Sequence, residues 1–318
     1  MVSTTIPPRT PTRTWLPLAA VATTLVLWAS AFVAIRHLGH DFSPGALSLG
    51  RLVVGALCLA VVALGRGVPR PSRTDAIAIV VIGVLWFGVY NVALNEGEQR
   101  VDAGTAAMLI QVSPVLIALM AALFLDERFT VSLGVGLALA FGGVGLIALS
   151  TSEGTDGGGR DVVGVLLCLL SAVVYSVSLV LQKRVVGRMP AVHVTWLACS
   201  VGAIACLPFA GQLVSEAAAA PASSVWWLVY LGIFPTAIAF TTYAFALQHM
   251  SASNLGVTTY LVPPITIVMG LVFLGEVPPT MAYAGGALAL VGVAVARRKP
   301  RPQLAATDCP PEAAALPR

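Results

Sequence analysis

Long apolar runs separated by short polar breaks recur along the whole chain. Runs of membrane-spanning length fall at 16–36, 44–64, 75–95, 103–124, 131–150, 162–182, 192–214, 224–247, 252–274 and 280–297. About twenty apolar residues are what a helix needs to cross a hydrocarbon layer. A lone span must satisfy its own backbone hydrogen bonds in lipid, so helices are the expected form. Runs this long are not the weaker, alternating segments of a membrane β-barrel. The pattern predicts an all-α membrane protein of ten transmembrane helices.

The pattern also repeats. Leu109–Arg128 reads LIQVSPVLIALMAALFLDER, and Thr258–Val277 reads TTYLVPPITIVMGLVFLGEV. Pro114 and Pro263, Met120 and Met269, Phe124-Leu125 and Phe273-Leu274, and Glu127 and Glu276 each stand 149 positions apart. Gln99 and Gln248 keep the same offset. Elsewhere the offset drifts by two or three: Trp28-Ala-Ser-Ala-Phe faces Tyr175-Ser-Val-Ser-Leu, and Arg36 faces Lys183. A gapless match of Gln, Pro, Met, Phe and Glu marks an internal duplication. Five spans per half is an odd number, so the second half enters the membrane from the opposite side. That predicts two inverted five-helix repeats, an arrangement that secondary transporters reuse.

Polar breaks divide the chain accordingly. A tail over 1–15 precedes the first repeat (16–150). The Gly-rich stretch TSEGTDGGGRD (151–161) links it to the second repeat (162–297), and a Pro- and Ala-rich tail (298–318) follows. Ala29-Ser30-Ala31 resembles a signal-peptidase site, but the run from Leu16 is long enough to span and has a counterpart in the second half. It is read as a retained helix.

Only 10% of the 318 residues are charged and 58% are hydrophobic, with a mean hydropathy of +0.90. Soluble domains carry about 25% charged residues, so the polytopic membrane class follows. The net charge of +4 forms no single basic patch, which excludes a nucleic-acid partner. With the N-terminus inside, the inner segments hold Arg9, Arg13, Arg66, Arg70, Arg73, Arg128, Lys183, Arg184, Arg188 and the basic residues after Val295. The outer segments hold Arg36, Arg100 and Arg160. This bias places both termini in the cytoplasm. Five cysteines without a CxxC suggest neither a disulfide framework nor a metal site.

Taken together, Trp28-Ala-Ser-Ala-Phe32, the stretch from Pro44 to Arg51, and a proline followed by Phe-Leu-x-Glu in each half resemble the EamA-type permeases of the drug/metabolite transporter superfamily over about 16–297. The resemblance implies a cytoplasmic-membrane carrier, most often an exporter of amino acids or other small metabolites, with a central cavity between the halves. It also makes Glu127 and Glu276 the recurrent glutamates of that pattern.

Individual residues are read on that frame. Pro114, Pro263 and Pro264 interrupt helices mid-membrane, where freed carbonyls line cavities; a plain kink is the alternative. Glu127 and Glu276 end their spans as salt-link or depth-fixing carboxylates. Arg51 is the one charged side chain well inside a span, with Glu96, Glu98, Asp102 or Glu276 as partners on its side. Trp28, Ser30, Tyr90, Asn91, Gln111, Tyr175, Tyr243, Thr258 and Tyr260 are the cavity candidates, with Asn95, Ser178 and Thr242 as further polar positions. Gln111 and Tyr260 correspond under the repeat and form the best pair. Interhelical hydrogen bonding is the competing explanation for each.

One arginine suits a neutral or zwitterionic solute better than a multiply phosphorylated one. Scattered histidines and the absence of HExxH or Ser-His-Asp sets argue against a membrane enzyme, and paired prolines favour alternating access over a channel filter. The expected partners are a small-molecule substrate and the lipid bilayer, with the chain a monomer or homodimer and no cofactor or metal. A multidrug efflux carrier for hydrophobic compounds is the alternative. The charge bias sets a topology test: single cysteines placed within 66–73 react with impermeant maleimide only from the cytoplasmic side, and those within 96–100 only from outside. The reverse labelling would overturn the orientation.

Overall fold

The computed structural model describes residues 15–67, 69–124, 131–152, 158–250 and 252–296. Among them there is no strand. The helices are α1 (Trp15–Leu38), α2 (Pro44–Gly65), α3 (Arg73–Glu98), α4 (Ala103–Ile110 and Ser113–Phe124) and α5 (Val131–Ser152). The second half supplies α6 (Gly158–Val186), α7 (Ala191–Ala205 and Ala210–Ala219), α8 (Ala222–His249), α9 (Ala252–Thr258 and Val262–Leu274) and α10 (Thr280–Ala296).

A helix stands at each of the ten expected places, but the expectation of ten full-length spans is met only in part. Among the described residues, five helices are long and apolar enough to cross a membrane: Trp15–Leu38, Pro44–Gly65, Arg73–Glu98, Val162–Val186 and Ala222–His249. A sixth is counted if Ala191–Ala205 and Leu207–Ala219, bent by 54°, form one span. The other apolar helices, Ala103–Ile117, Gly134–Ile147, Thr259–Leu274 and Thr280–Gly292, are shorter.

The starts follow local chemistry. Pro44 stands in the first turn of α2, where its missing N–H costs nothing. Ser72 and Asp102 cap α3 and α4, accepting from the amides of Asp75 (3.1 Å) and Thr105 (2.8 Å). Burial pushes the Asp102 carboxyl above its usual range, against the pull of those Thr105 hydrogen bonds. At the far end of α9, Gly275 turns left-handed at φ 67° and stops the helix.

The two halves interlock through small residues. A Cβ on Gly143 of α5 would lie 2.4 Å from the Gly285 carbonyl of α10, and one on Gly292 would lie 2.6 Å from the Gly136 carbonyl. Low numbers on α5 thus meet high numbers on α10, so the pair runs antiparallel. Two further contacts cross between halves. A Cβ on Gly55 of α2 would lie 3.1 Å from the Gly232 carbonyl of α8, and one on Gly202 of α7 would lie 3.0 Å from the Gly83 carbonyl of α3. Gly83 and Gly232 each open a π-helical stretch, Gly83–Val89 and Gly232–Ile238, in the same register 149 positions apart. Single π turns inside α-helices are recurrent features of functional sites.

The tight α5–α10 seam makes a sharp prediction. Gly143→Leu forces side-chain atoms into the α10 backbone and destabilises the fold by about 1–3 kcal/mol or more. Gly145→Leu, which points into open space, leaves stability unchanged. Thermal unfolding of the two purified variants in detergent reads the difference, and equal melting would refute the seam.

Candidate functional site

The centre of the molecule is aromatic. Trp28 of α1 packs on Tyr243 (ring centroids 4.7 Å apart) and Phe240 (5.4 Å) of α8. Trp86 of α3 lies 5.1 Å from Tyr175 of α6 and 5.2 Å from Phe240. Such ring pairs each contribute about 0.5–1.5 kcal/mol beyond their buried area. The Tyr175 and Tyr243 hydroxyls share a hydrogen bond of 2.5 Å, which keeps two buried polar tips satisfied.

Two adjoining spaces open against this cluster. The first is lined by Trp28, Phe32, Trp86, Tyr90, Ile110, Gln111, Tyr175, Thr259 and Val262. The second shares Trp28, Phe32 and Tyr90 and adds Arg51, Asn91 and Leu94 among its walls. Both draw on the two halves.

Breaks in the helices place the polar groups. α4 is interrupted at Gln111–Val112, just before Pro114, and α9 at the 3-10 turn Thr259–Leu261, just before Pro263. At these breaks Thr259 Oγ1 donates to Gln111 Oε1 (3.1 Å) across the halves. Ser176 of α6 donates to the Ser113 carbonyl (3.1 Å), tying α6 to the first turn after the α4 break. In α3 the π stretch turns the Trp86 and Phe87 carbonyls toward Asn91, whose Nδ2 donates to both (3.2 and 2.9 Å). That leaves Asn91 Oδ1 buried without a partner among the described residues.

Arg51 is 4% exposed, and only its Nε is hydrogen-bonded among the described residues, to Thr236 Oγ1 of the α8 π stretch (3.1 Å). Arg51 lines the second space. The carboxylates considered as its partners are mostly engaged elsewhere. Glu276 binds Arg36 (2.7 Å), Glu96 binds Arg100, and Asp102 caps α4. Of these, Glu98 stays within electrostatic reach of Arg51; it is fully buried, and neither of its side-chain oxygens is hydrogen-bonded among the described residues.

Of the residues singled out in the sequence, the structure gathers Trp28, Tyr90, Asn91, Gln111, Tyr175 and Arg51 on the walls of these spaces. Tyr243 packs immediately behind Trp28. Ser30 lies elsewhere, sharing a 2.7 Å hydrogen bond with the Tyr230 hydroxyl. Thr258 bonds back to the Leu255 carbonyl of its own helix (2.6 Å), and neither it nor Tyr260 lines either space; Thr259 meets Gln111 instead. Pro263 is buried and Pro264 exposed beside the α9 break. Glu127 lies outside the described residues. Trp86 and Thr259 were missed. Trp86 stands between Gly83 and Gly88 in an apolar run, and that flanking is its only local signal.

The ends of the molecule are pinned by charge. Arg36 donates to the Glu98 carbonyl (2.9 Å), and at the opposite end Lys183 donates to the equivalent carbonyl of Leu247 and to Met250 (2.8 Å). Arg188 grips Asp75 across the halves, and that carboxylate holds its guanidinium above the usual value.

This double architecture matches the EamA-like transporter family over residues 15–149 and again over 162–298. The chain belongs to that family. It is 38% identical over 280 residues, 88% of this chain and 93% of the relative, to a probable terminal-alkyne amino-acid exporter of Streptantibioticus cattleyicolor. It is 31% identical to the uncharacterized transporter YdfC of Bacillus subtilis, over 84% of this chain and 86% of the relative. A solved crystal structure with 23% identity superposes with a TM-score of 0.61 over 90% of this chain and 97% of its own, sharing the fold. An EamA-like family member with several apolar helices is a multi-pass membrane transporter.

The Gln111–Thr259 bond makes a prediction. Thr259→Val strands a buried amide oxygen and lowers stability by about 1–3 kcal/mol, whereas Gln111→Leu combined with Thr259→Val recovers most of the loss. Denaturation midpoints of the two single variants and the double variant form the cycle, and strict additivity would remove the cross-half bond.

Proposed function

We propose that this chain is a secondary transporter of ten membrane-crossing helices that exports amino acids or similar small neutral or zwitterionic metabolites. The first repeat is 16–150 and the second 162–297, inverted in the cytoplasmic membrane, with the tails 1–15 and 298–318 and both termini in the cytoplasm. The observation that carries the reading is a central space between the halves, walled by aromatic rings, with Arg51 as the one buried guanidinium among the described residues. Apolar walls with a few placed polar groups are how small-molecule sites are built. The likeness to the Streptantibioticus cattleyicolor relative, a probable terminal-alkyne amino-acid exporter, supports the same substrate class.

Alternating access then has a material basis. The α4 and α9 breaks and the α3 and α8 π stretches occur in matched registers, so a bend in one half has a counterpart in the other. The antiparallel α5–α10 seam fits two halves related by an axis in the membrane plane. Arg36 and Glu276 tie α1 to the loop after α9 at one end, a link that opening at that end must break.

The aromatic walls also favour a second reading, multidrug efflux of hydrophobic compounds. Flux in proteoliposomes separates the two. Saturable movement of labelled neutral amino acids, with a lipophilic cation left behind, is the expected result. Movement of the cation alone would establish the efflux reading in its place.

A further inference from the structure

The two adjoining spaces differ in chemistry, and the difference gives a substrate an orientation. The second space has a guanidinium-bearing and an amide-bearing residue, Arg51 and Asn91, on its walls. Arg51 presents terminal nitrogens that no described residue engages, and Asn91 presents an Oδ1 that is 1% exposed by residue and unpartnered. The Asn91 amide is held the right way round, because its nitrogen is committed to the Trp86 and Phe87 carbonyls. Its oxygen is therefore a fixed acceptor, buried and without a partner among the described residues, on a residue that lines the second space. Leaving either group unfilled is costly in a low-dielectric interior. The Trp28 and Tyr90 rings are common to both spaces. Beyond them the first space is apolar, with Trp86, Ile110 and Val262 on its walls and the Gln111–Thr259 pair already bonded to itself.

We infer that Arg51 and Asn91 form a head-group site for a free α-amino acid, Arg51 taking the carboxylate and Asn91 Oδ1 the ammonium, with an apolar side chain lying in the aromatic-walled space. This rests on the transport reading above and narrows it to amino acids with both head groups free and an apolar side chain. A guanidinium matches a carboxylate in a bidentate fork, a geometry that lysine does not reproduce. The ammonium gains the Asn91 oxygen and the faces of Trp28 and Tyr90, which attract cations. Charged side chains are excluded because the first space holds no charged group to meet them. Glu98 lies within electrostatic reach of Arg51 but off both linings, so it does not compete for the ligand.

The test uses the full-length carrier in proteoliposomes loaded with a mixture of aliphatic and aromatic amino acids. Exchange of labelled norleucine and phenylalanine is challenged by each compound's carboxamide, its N-acetyl derivative, and by aspartate and lysine. Both masked forms are expected to compete about tenfold to a hundredfold less well than the free acid, the fold-change of losing charge-assisted hydrogen bonds, and the charged amino acids not at all. Arg51→Gln, checked for correct folding by its elution and melting, is expected to erase the preference for acid over amide; Arg51→Lys restores only part of it. Equal competition by acid and amide, or by charged and apolar side chains, would overturn the head-group site while leaving a working transporter. Absence of any exchange would overturn both this inference and the transport reading.

Discussion

Helices in lipid gain nothing from hiding apolar surface, since the surrounding chains are as apolar as they are. What holds them is close contact, and here that contact is made where glycine lets one backbone touch the next. Gly143 with Gly285 and Gly136 with Gly292 fix α5 against α10, while Gly55 with Gly232 and Gly83 with Gly202 fix α2 on α8 and α7 on α3. Each of these contacts joins the first half to the second. Neither half has a finished surface alone, so the central spaces exist only because the halves are interlocked.

The same contacts explain where the scaffold bends. Gly83 and Gly232 are both the points of closest approach and the starts of the π stretches. A π turn leaves carbonyls out of the ordinary ladder, and the chain employs them. Asn91 binds two on α3, and Thr236 binds the Leu231 carbonyl on α8 while accepting from Arg51. The backbone irregularity and the polar groups of the site are one feature, because each supplies the partner that the other needs in the absence of water.

Symmetry is kept in the framework and broken in the chemistry. Arg36 and Lys183 cap equivalent helix ends, and Gln99 and Gln248 bind equivalent turns at Phe42 and at Val186 and Met189. By contrast Arg51, Asn91 and Glu98 stand opposite Ala198, Phe240 and Leu247 in the second half. A twofold framework suits exchange between two equivalent openings. An asymmetric lining suits a solute whose two ends differ.

The amino-acid sequence by itself determined the class, the helix positions and the duplication. Apolar run length, the 149-residue register and the distribution of Lys and Arg are properties of the chain read in order. It also marked Trp28, Tyr90, Asn91, Gln111, Tyr175 and Arg51, because polar or amphipathic residues inside apolar runs stand out locally. Only the tertiary structure decided which of them converge. Ser30 and Thr258 satisfy the same sequence rule, yet they bond to Tyr230 and to the Leu255 carbonyl, away from the lining. Thr259 rather than Tyr260 meets Gln111 because the 3-10 turn tightens the α9 break and shifts the facing residue by one. Glu98 reads as an edge residue in sequence and is fully buried in the fold, since α1, α2 and α6 close over the end of α3. Rotation about a helix axis and the path of a broken helix depend on neighbours distant in sequence, and no local pattern encodes them.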